Sequence, residues 1–142
     1  STYGNVYVAR IALGANPQQV VKAINEAEAY DGPSIIIAYA HCINHGLNLA
    51  MGLEQQKKAV ACGHWPLYRY NPQLEDEGKN PLIIDSKEPT IKFAEYALNE
   101  NRYRMLKMAN PEQCDELMEA SQKDVDKSWK FLQSRFKALE ES

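Results

Sequence analysis

The apolar run Ser-Ile-Ile-Ile-Ala-Tyr-Ala at residues 34–40 most constrains the fold, because it lacks the polar alternation of a half-buried strand. Such a run is typical of a strand in a parallel sheet that helices cover on both faces. The β-branched and aromatic segment at residues 6–11 predicts a second strand. Between them, a helical pattern begins at Asn16-Pro17 and ends at Gly32-Pro33. Strand, helix and strand predict one βαβ unit with parallel strands.

This interpretation places Ile36 in the interior of the sheet. An aspartate at that position would put an unpaired charge among apolar groups. We therefore expect Ile36→Asp to unfold the domain.

The remaining sequence also predicts helices and strands, and its last predicted element is a long helix. Apolar residues recur at seven-residue steps after Asn110-Pro111 and form one stripe, which packs either on the body of the domain or on a second copy. We predict a three-layer α/β fold with a mainly parallel sheet. The remaining predicted elements are a helix from Gly46 to Gly63, an extended segment at 65–70, a polar loop at 75–80, a strand at 82–84, and a helix at 90–98 with a break near Asn99.

We predict a single domain over residues 1–142. Its parts are an α/β core at 1–70, connecting loops and helices at 71–109, and a long amphipathic helix at 110–142. With 142 residues, such a domain buries enough surface to need no disulfide or structural metal.

Charge and cysteine content exclude several classes of protein. Sixteen Lys and Arg against nineteen Asp and Glu leave no basic excess for nucleic acid or an anionic membrane. Three unevenly spaced cysteines argue against a secreted disulfide framework and for a reducing, cytoplasmic compartment. There is neither a bilayer-length apolar run nor a signal-type core. Because the chain opens at Ser1 without Met, directly before a strand, we expect that it starts within a domain.

Cys42 is the leading candidate for a site residue. It follows the predicted strand at 34–40, and open α/β sheets bind ligands at the carboxyl ends of their strands. The alternative is a small buried hydrophobic residue. With His41 nearby, Cys42-x-x-His45 and Cys62-x-His64 offer enough ligands for tetrahedral zinc, although the one-residue gap is awkward.

Other chemistry has weaker support. Isolated glycines form no phosphate-binding loop, which disfavours nucleotide binding. A nucleophilic pair of Cys42 with His45 or His64 stays open, without a supporting motif. The aromatic residues at 65–70 either stack on a ligand or pack, and the acidic triplet at 75–77 indicates a solvated loop.

Long consecutive strings resemble the carboxy-terminal part of pyruvate:ferredoxin (flavodoxin) oxidoreductases. They are YGNVYVARIALGANPQQ, YDGPSIIIAYAHCINHG, GHWPLYRYNPQL and GKNPLIIDSKEP, followed by the NRY of residues 101–103. The resemblance covers nearly the whole chain and fades in the final helix. It implies an enzyme that oxidatively decarboxylates pyruvate with coenzyme A to acetyl-CoA and carbon dioxide. Thiamine diphosphate with magnesium does the carbon chemistry, and [4Fe-4S] clusters pass electrons to ferredoxin or flavodoxin.

The resemblance also implies roles for parts of this chain. The segment follows the diphosphate- and magnesium-binding part of the thiamine domain, and Cys42 matches the fourth thiolate of the cluster nearest the thiamine. The family's Gly-Asp-Gly segment and its other cluster cysteines have no counterpart here, and no catalytic residue can be carried over.

We therefore expect that the chain by itself is an inactive fragment that holds no cofactor. Its expected partner is the rest of the enzyme, and a homodimer is one expected assembly. The alternative function is a stand-alone metal-binding or interaction module without catalysis.

Overall fold

The computed structural model describes residues 6–40 and 49–141. The strands are β1 (Tyr7–Ile11), β2 (Ser34–Ala38), β3 (Tyr68–Tyr70) and β4 (Leu82–Ile84). The helices are α1 (Pro17–Ala29), α2 (Leu49–Ala61), α3 (Gln73–Asp76), α4 (Phe93–Ala97), α5 (Asn101–Ala109) and α6 (Pro111–Glu140). The α/β class and the long C-terminal helix are confirmed. Part of the expected polar loop is instead the short helix α3.

In the described residues the strands form one mixed sheet in the order β2-β1-β3-β4. The predicted parallel pairing of β1 with β2 is confirmed, with Ala9 opposite Ile36. β3 pairs antiparallel with both β1 and β4, so the sheet is not mainly parallel as expected. The connection from β3 to β4 holds only a turn and α3, which is too short for the crossover that parallel strands need.

Helices cover both faces of the sheet, which confirms the three layers. Along β1, side chains alternate between the faces. Tyr7 and Ala9 pack with Val20 and Ala23 of α1. Val8 lies on the other face, in a cluster with residues of β3, β4 and α6: Tyr70, Leu82, Leu132, Phe136 and Leu139.

The stripe of α6 packs on the body of its own chain, so the first of its two predicted arrangements is the one observed. Val125 and Met118 contact the cluster formed by α2 and α4, while Leu132 and Phe136 lie against the sheet. Asn110 caps the helix, since its Oδ1 accepts from the Gln113 backbone N–H at 3.1 Å. In the part of the chain that the structure describes, neither α6 nor another helix is long and apolar enough to cross a membrane.

The expectation that Ile36 is buried is wrong. β2 is an edge strand, and Ile35, Ile36 and Ile37 are 47%, 38% and 37% exposed. Among the described residues, β1 is the one strand beside it, and helix α1 covers part of one face. An aspartate at position 36 would reach water, so we no longer expect it to unfold the domain.

Candidate functional site

An aromatic cluster lies beside the carboxyl ends of β1 and β2, where the sequence predicted a ligand crevice. The Ile11 carbonyl anchors it: it accepts from the Tyr39 backbone N–H and from Trp65 Nε1, each at 3.0 Å. The rings of Tyr39 and Trp65 meet edge to face, with centroids 5.5 Å apart. We call the following residues the aromatic cluster: Tyr39, His64, Trp65, Phe93 and Tyr96.

Gly63 allows the chain to turn into this cluster. It ends α2 with a positive φ of 86°, a conformation that suits glycine. A Cβ at this position would also lie 2.8 Å from Cγ of Pro89. After this turn, the His64 ring stacks on Tyr96 and meets Phe93 edge to face.

Hydroxyl groups join the two sides of the cluster. The Tyr39 and Tyr96 oxygens are 2.8 Å apart, and Gln55 Nε2 donates to the Tyr96 carbonyl and to Glu100, each at 3.3 Å. Burial raises the pKa of both tyrosines, so both hydroxyls stay protonated near neutral pH. The two hydroxyls therefore act as neutral hydrogen-bonding groups rather than as an acid–base pair.

Arg10 places a positive charge at the same end of β1. Its guanidinium carbon lies 4.8 Å from the Trp65 ring centroid and 5.3 Å from that of Tyr68, within cation–π range. Among the described residues, no carboxylate lies within ion-pair distance of Arg10, and its Nε is buried without a hydrogen-bond partner. Sequence reasoning missed this residue, although a lone basic residue in an apolar strand is the signal that indicates it.

Arg69 is the second basic residue within a strand, and its surroundings differ. It forms two 2.9 Å hydrogen bonds with Asp85 and one with Glu26, which also accepts from the Tyr7 hydroxyl at 2.8 Å. Gln19 Nε2 adds a hydrogen bond to Asp85 at 3.0 Å. These contacts raise the pKa of Arg69 through hydrogen bonds to the carboxylates. The network ties α1 to β3 and to the end of β4, a structural role that the sequence did not reveal.

The structure describes some of the predicted site residues and not others. His41, Cys42 and His45 lie outside the described residues. The Cys62 thiol is buried, donates to the Ala59 carbonyl at 3.4 Å and has a pKa raised by burial, so it stays a protonated thiol. Cys114 is also a buried free thiol.

The described part of the chain holds no group of three or more His, Cys, Asp or Glu residues that could bind a metal. Cys62 and His64 belong to this part of the chain, whereas Cys42 and His45, the other half of the zinc pattern, lie outside the described residues. The aromatic residues at 65–70 divide between two places, since Trp65 belongs to the aromatic cluster and Tyr70 packs under α6.

Comparison with known proteins gives one consistent set of relatives. No family model matches the chain. It is 53% identical over 131 residues to a pyruvate-flavodoxin oxidoreductase of Nostoc sp., and 54% identical over 124 residues to a pyruvate:ferredoxin oxidoreductase of Moorella thermoacetica. It is 48% identical over 130 residues to a probable pyruvate-flavodoxin oxidoreductase of Escherichia coli. These alignments take in 92%, 87% and 92% of this chain.

The same alignments take in 11% of each relative, so the chain spans about a ninth of the length of the curated relatives it matches. The stand-alone module is not favoured, because the segments that match this chain belong to much longer oxidoreductases. This chain is therefore similar to one segment of the pyruvate-flavodoxin and pyruvate:ferredoxin oxidoreductases.

Proposed function

We propose that the chain is the carboxy-terminal part of the thiamine-diphosphate domain of a pyruvate:ferredoxin (flavodoxin) oxidoreductase. The intact enzyme would convert pyruvate and coenzyme A to acetyl-CoA and carbon dioxide and pass electrons to ferredoxin or flavodoxin. Identities of 48–54% to named oxidoreductases support this assignment.

The structural observation that carries the proposal is the exposed edge strand β2. Its three isoleucines are apolar on both faces, and at 37–47% exposure they are far from buried. Natural sheets protect their edges with short strands, charges, prolines or covering segments, and β2 has no charged residue. The sequence of β2 suits a strand in the middle of a larger sheet, so we infer that the rest of the enzyme supplies the next strand and its cover.

Cys42 is proposed as the fourth thiolate of the cluster nearest the thiamine. The carboxyl end of β2 leads to it, since Ala38, Tyr39 and Ala40 are the last described residues before it. When bound, the thiamine supplies an electron sink for decarboxylation and the clusters conduct electrons away. At this end of the sheet, the described residues would form one wall of the site. Tyr39 belongs to that wall and is held by hydrogen bonds to Ile11 and Tyr96.

A segment exchange tests the proposal. The segment of the Moorella thermoacetica enzyme that this chain matches is replaced by residues 1–142. We expect the chimera to retain coenzyme A-dependent reduction of ferredoxin by pyruvate, because half of the positions are identical. A chimera that folds and binds its cofactors but does not oxidise pyruvate would contradict the proposal.

Variants in the same chimera test the role of β2. Ile36→Asp is expected to abolish activity, because it places a charge where the next strand and its cover would lie. Met108→Asp is the matched control, since Met108 is 87% exposed on α5. Equal activity of the two variants would show that β2 is not covered.

The 142-residue chain by itself is expected to be inactive, because it has no counterpart of the family's magnesium- and diphosphate-binding segment. Calorimetry with thiamine diphosphate and magnesium checks this expectation. Magnesium-dependent binding in the micromolar range would mean that the chain carries a complete cofactor site.

A further inference from the structure

A groove runs between the outer edge of β4 and helix α6, on the side of the sheet away from β2. Its volume is about 870 Å³. The strand side contributes Leu82, Ile83 and Ile84, and the helix side contributes residues one and two turns apart. Those helix residues are Trp129, Lys130, Gln133, Ser134, Phe136 and Lys137.

The backbone of β4 offers unused hydrogen-bonding groups to this groove. In the described residues β4 pairs only with β3. The Asn71 N–H donates to the Pro81 carbonyl at 2.8 Å and the Asp85 N–H to the Leu67 carbonyl at 2.9 Å, so alternate residues of this segment face β3. By the same alternation Ile83 faces β3, whereas Leu82 and Ile84 point their backbone groups away from it.

The Leu82 N–H is already satisfied by Asn80 Oδ1 at 3.0 Å. The N–H and carbonyl of Ile84 remain at the open edge, as does the carbonyl of Leu82. An added extended strand satisfies such groups, whereas an added helix keeps its own backbone groups paired within itself.

The groove has an apolar floor and a basic rim. Leu82 and Trp129 are buried, and Phe136 packs on the same face of the sheet. Lys130 and Lys137 stand one above the other on α6, and none of the described residues that line the groove is acidic. This charge is opposite in sign to the whole chain, whose net charge is −3. Trp129 also has a buried indole N–H without an acceptor among the described residues.

We propose that this groove binds an extended, acidic peptide segment of another protein. The segment adds to the sheet beside β4 and pairs with the backbone of Ile84. The alternate side chains that point to the α6 side of the sheet include an apolar group for the floor and carboxylates for Lys130 and Lys137. This mode combines main-chain pairing, which provides affinity, with side-chain selection by charge. The chain's own acidic triplet at 75–77 does not suit the role, because α3 includes two of its residues.

The test uses the ¹⁵N-labelled chain and the capped peptide Ser-Glu-Ser-Val-Ser-Glu-Ser, whose glutamates and valine lie on one face of an extended strand. Its matched control peptide has lysine in place of glutamate. We expect the acidic peptide to shift the amide resonances of β4 and the indole N–H resonance of Trp129. Binding of both peptides with equal affinity, or shifts confined to other parts of the chain, would overturn the proposal.

Two variants separate charge from backbone pairing. The double variant Lys130→Glu/Lys137→Glu is expected to weaken binding of the acidic peptide by at least about tenfold. Lys123→Glu is the matched control on the same helix, outside the groove, and should change the affinity by less than about twofold. Ile84→Pro removes the outward N–H without changing a charge, so it should weaken binding of the acidic peptide through lost backbone pairing alone.

Equal urea midpoints of the charge variants and the native chain check that each keeps its fold. Native-like affinity in the Lys130→Glu/Lys137→Glu variant would refute the charge assignment. Sedimentation of the unlabelled chain tests a different occupant of the groove, namely a second copy of the chain. A dimer that dissociates in this double variant would assign the groove to a second copy of the chain and overturn the proposed occupant.

Discussion

At the scale of single residues, Arg69 and Asp85 form a buried ion pair whose loss should be measurable. Both side chains are largely buried, at 9% and 13% exposure, and the pair is bidentate. Asp85→Asn would leave the Arg69 charge with only the more exposed Glu26. We expect a loss of about 3 kcal/mol in the free energy of unfolding, at the low end for a broken buried pair.

Urea denaturation measures this loss, and Glu77→Gln is its control. The Lys79–Glu77 pair is solvent-exposed, with a separation of 3.6 Å, and should contribute little. Equal effects of the two substitutions would show that the Arg69 network does not stabilise the fold.

Tyr7 should make the chain less stable in alkali. Its pKa lies above the ordinary 10.0 because the ring is buried and its hydroxyl donates to Glu26. Above pH 10 the unfolded chain loses this proton while the folded chain keeps it, so the free energy of unfolding falls as pH rises. The contribution is up to about 1.4 kcal/mol per pH unit.

Denaturation series at several pH values check this prediction. Tyr7→Phe should show a shallower decline above pH 10, and its difference from the native chain near pH 7 should report only the lost hydrogen bond. Identical slopes for the two proteins would contradict it.

The proposed cluster ligand Cys42 can be tested in the full-length enzyme. Cys42→Ala should lower the iron content and abolish ferredoxin reduction, because one of four iron–thiolate bonds is lost. Under the proposed function, decarboxylation of pyruvate should survive, because the thiamine would carry that step. Cys62→Ala is the control: this thiol is buried and hydrogen-bonded within α2 and its end, so its loss should leave the iron content unchanged. Full iron and normal electron transfer in Cys42→Ala would remove the assignment.

At the scale of elements, the helix caps make separable contributions. Asn16 and Asn110 each precede a proline, and each side chain accepts from the backbone N–H three residues later. Asn16→Ala and Asn110→Ala should each lower the free energy of unfolding by about 1 kcal/mol. Because the two caps belong to different helices on opposite faces of the sheet, the double variant should lose about the sum, about 2 kcal/mol.

Ser128→Ala is the control for the cap variants, because Ser128 is exposed in the middle of α6 and alanine suits a helix interior. Its urea midpoint should stay the same or rise slightly. A loss as large as that of Asn110→Ala would mean that the cap has no special role.

At the scale of the whole molecule, the exposed β2 edge should promote association. Exposed apolar patches and open strand edges favour pairing between chains. Light scattering at high concentration should therefore give a mass above the 16.1 kDa of one chain. Ile36→Asp should restore the monomer mass without unfolding the chain, whereas Met108→Asp should not. A native chain that stays monomeric would count against association through β2.

The sequence by itself determined the elements whose signals are local. The Asn-Pro caps located the starts of α1 and α6, the β-branched runs located β1 and β4, and the seven-residue stripe predicted α6 as an amphipathic helix. These signals are readable because capping and periodicity depend on residues within a few positions of one another. The parallel pairing of β1 and β2 followed from the single helix between them.

The candidate site was only partly predictable. The position of Cys42 after a strand end was visible in the sequence, whereas the contacts of Arg10, Tyr39 and Tyr96 join segments that are far apart in the chain. Ionic partners such as Arg69 and Asp85 likewise come together only when β3 and β4 pair.

Tertiary structure alone decided the place of each strand in the sheet. The apolar composition of β2 predicted burial, yet the order β2-β1-β3-β4 leaves it at an edge. The composition of a strand indicates the environment that suits it, whereas the exposure of the strand depends on which neighbouring segments are present. Apart from the pairing of β1 with β2, strand order and partners across the sheet are set by contacts between distant segments, and no local pattern encodes them.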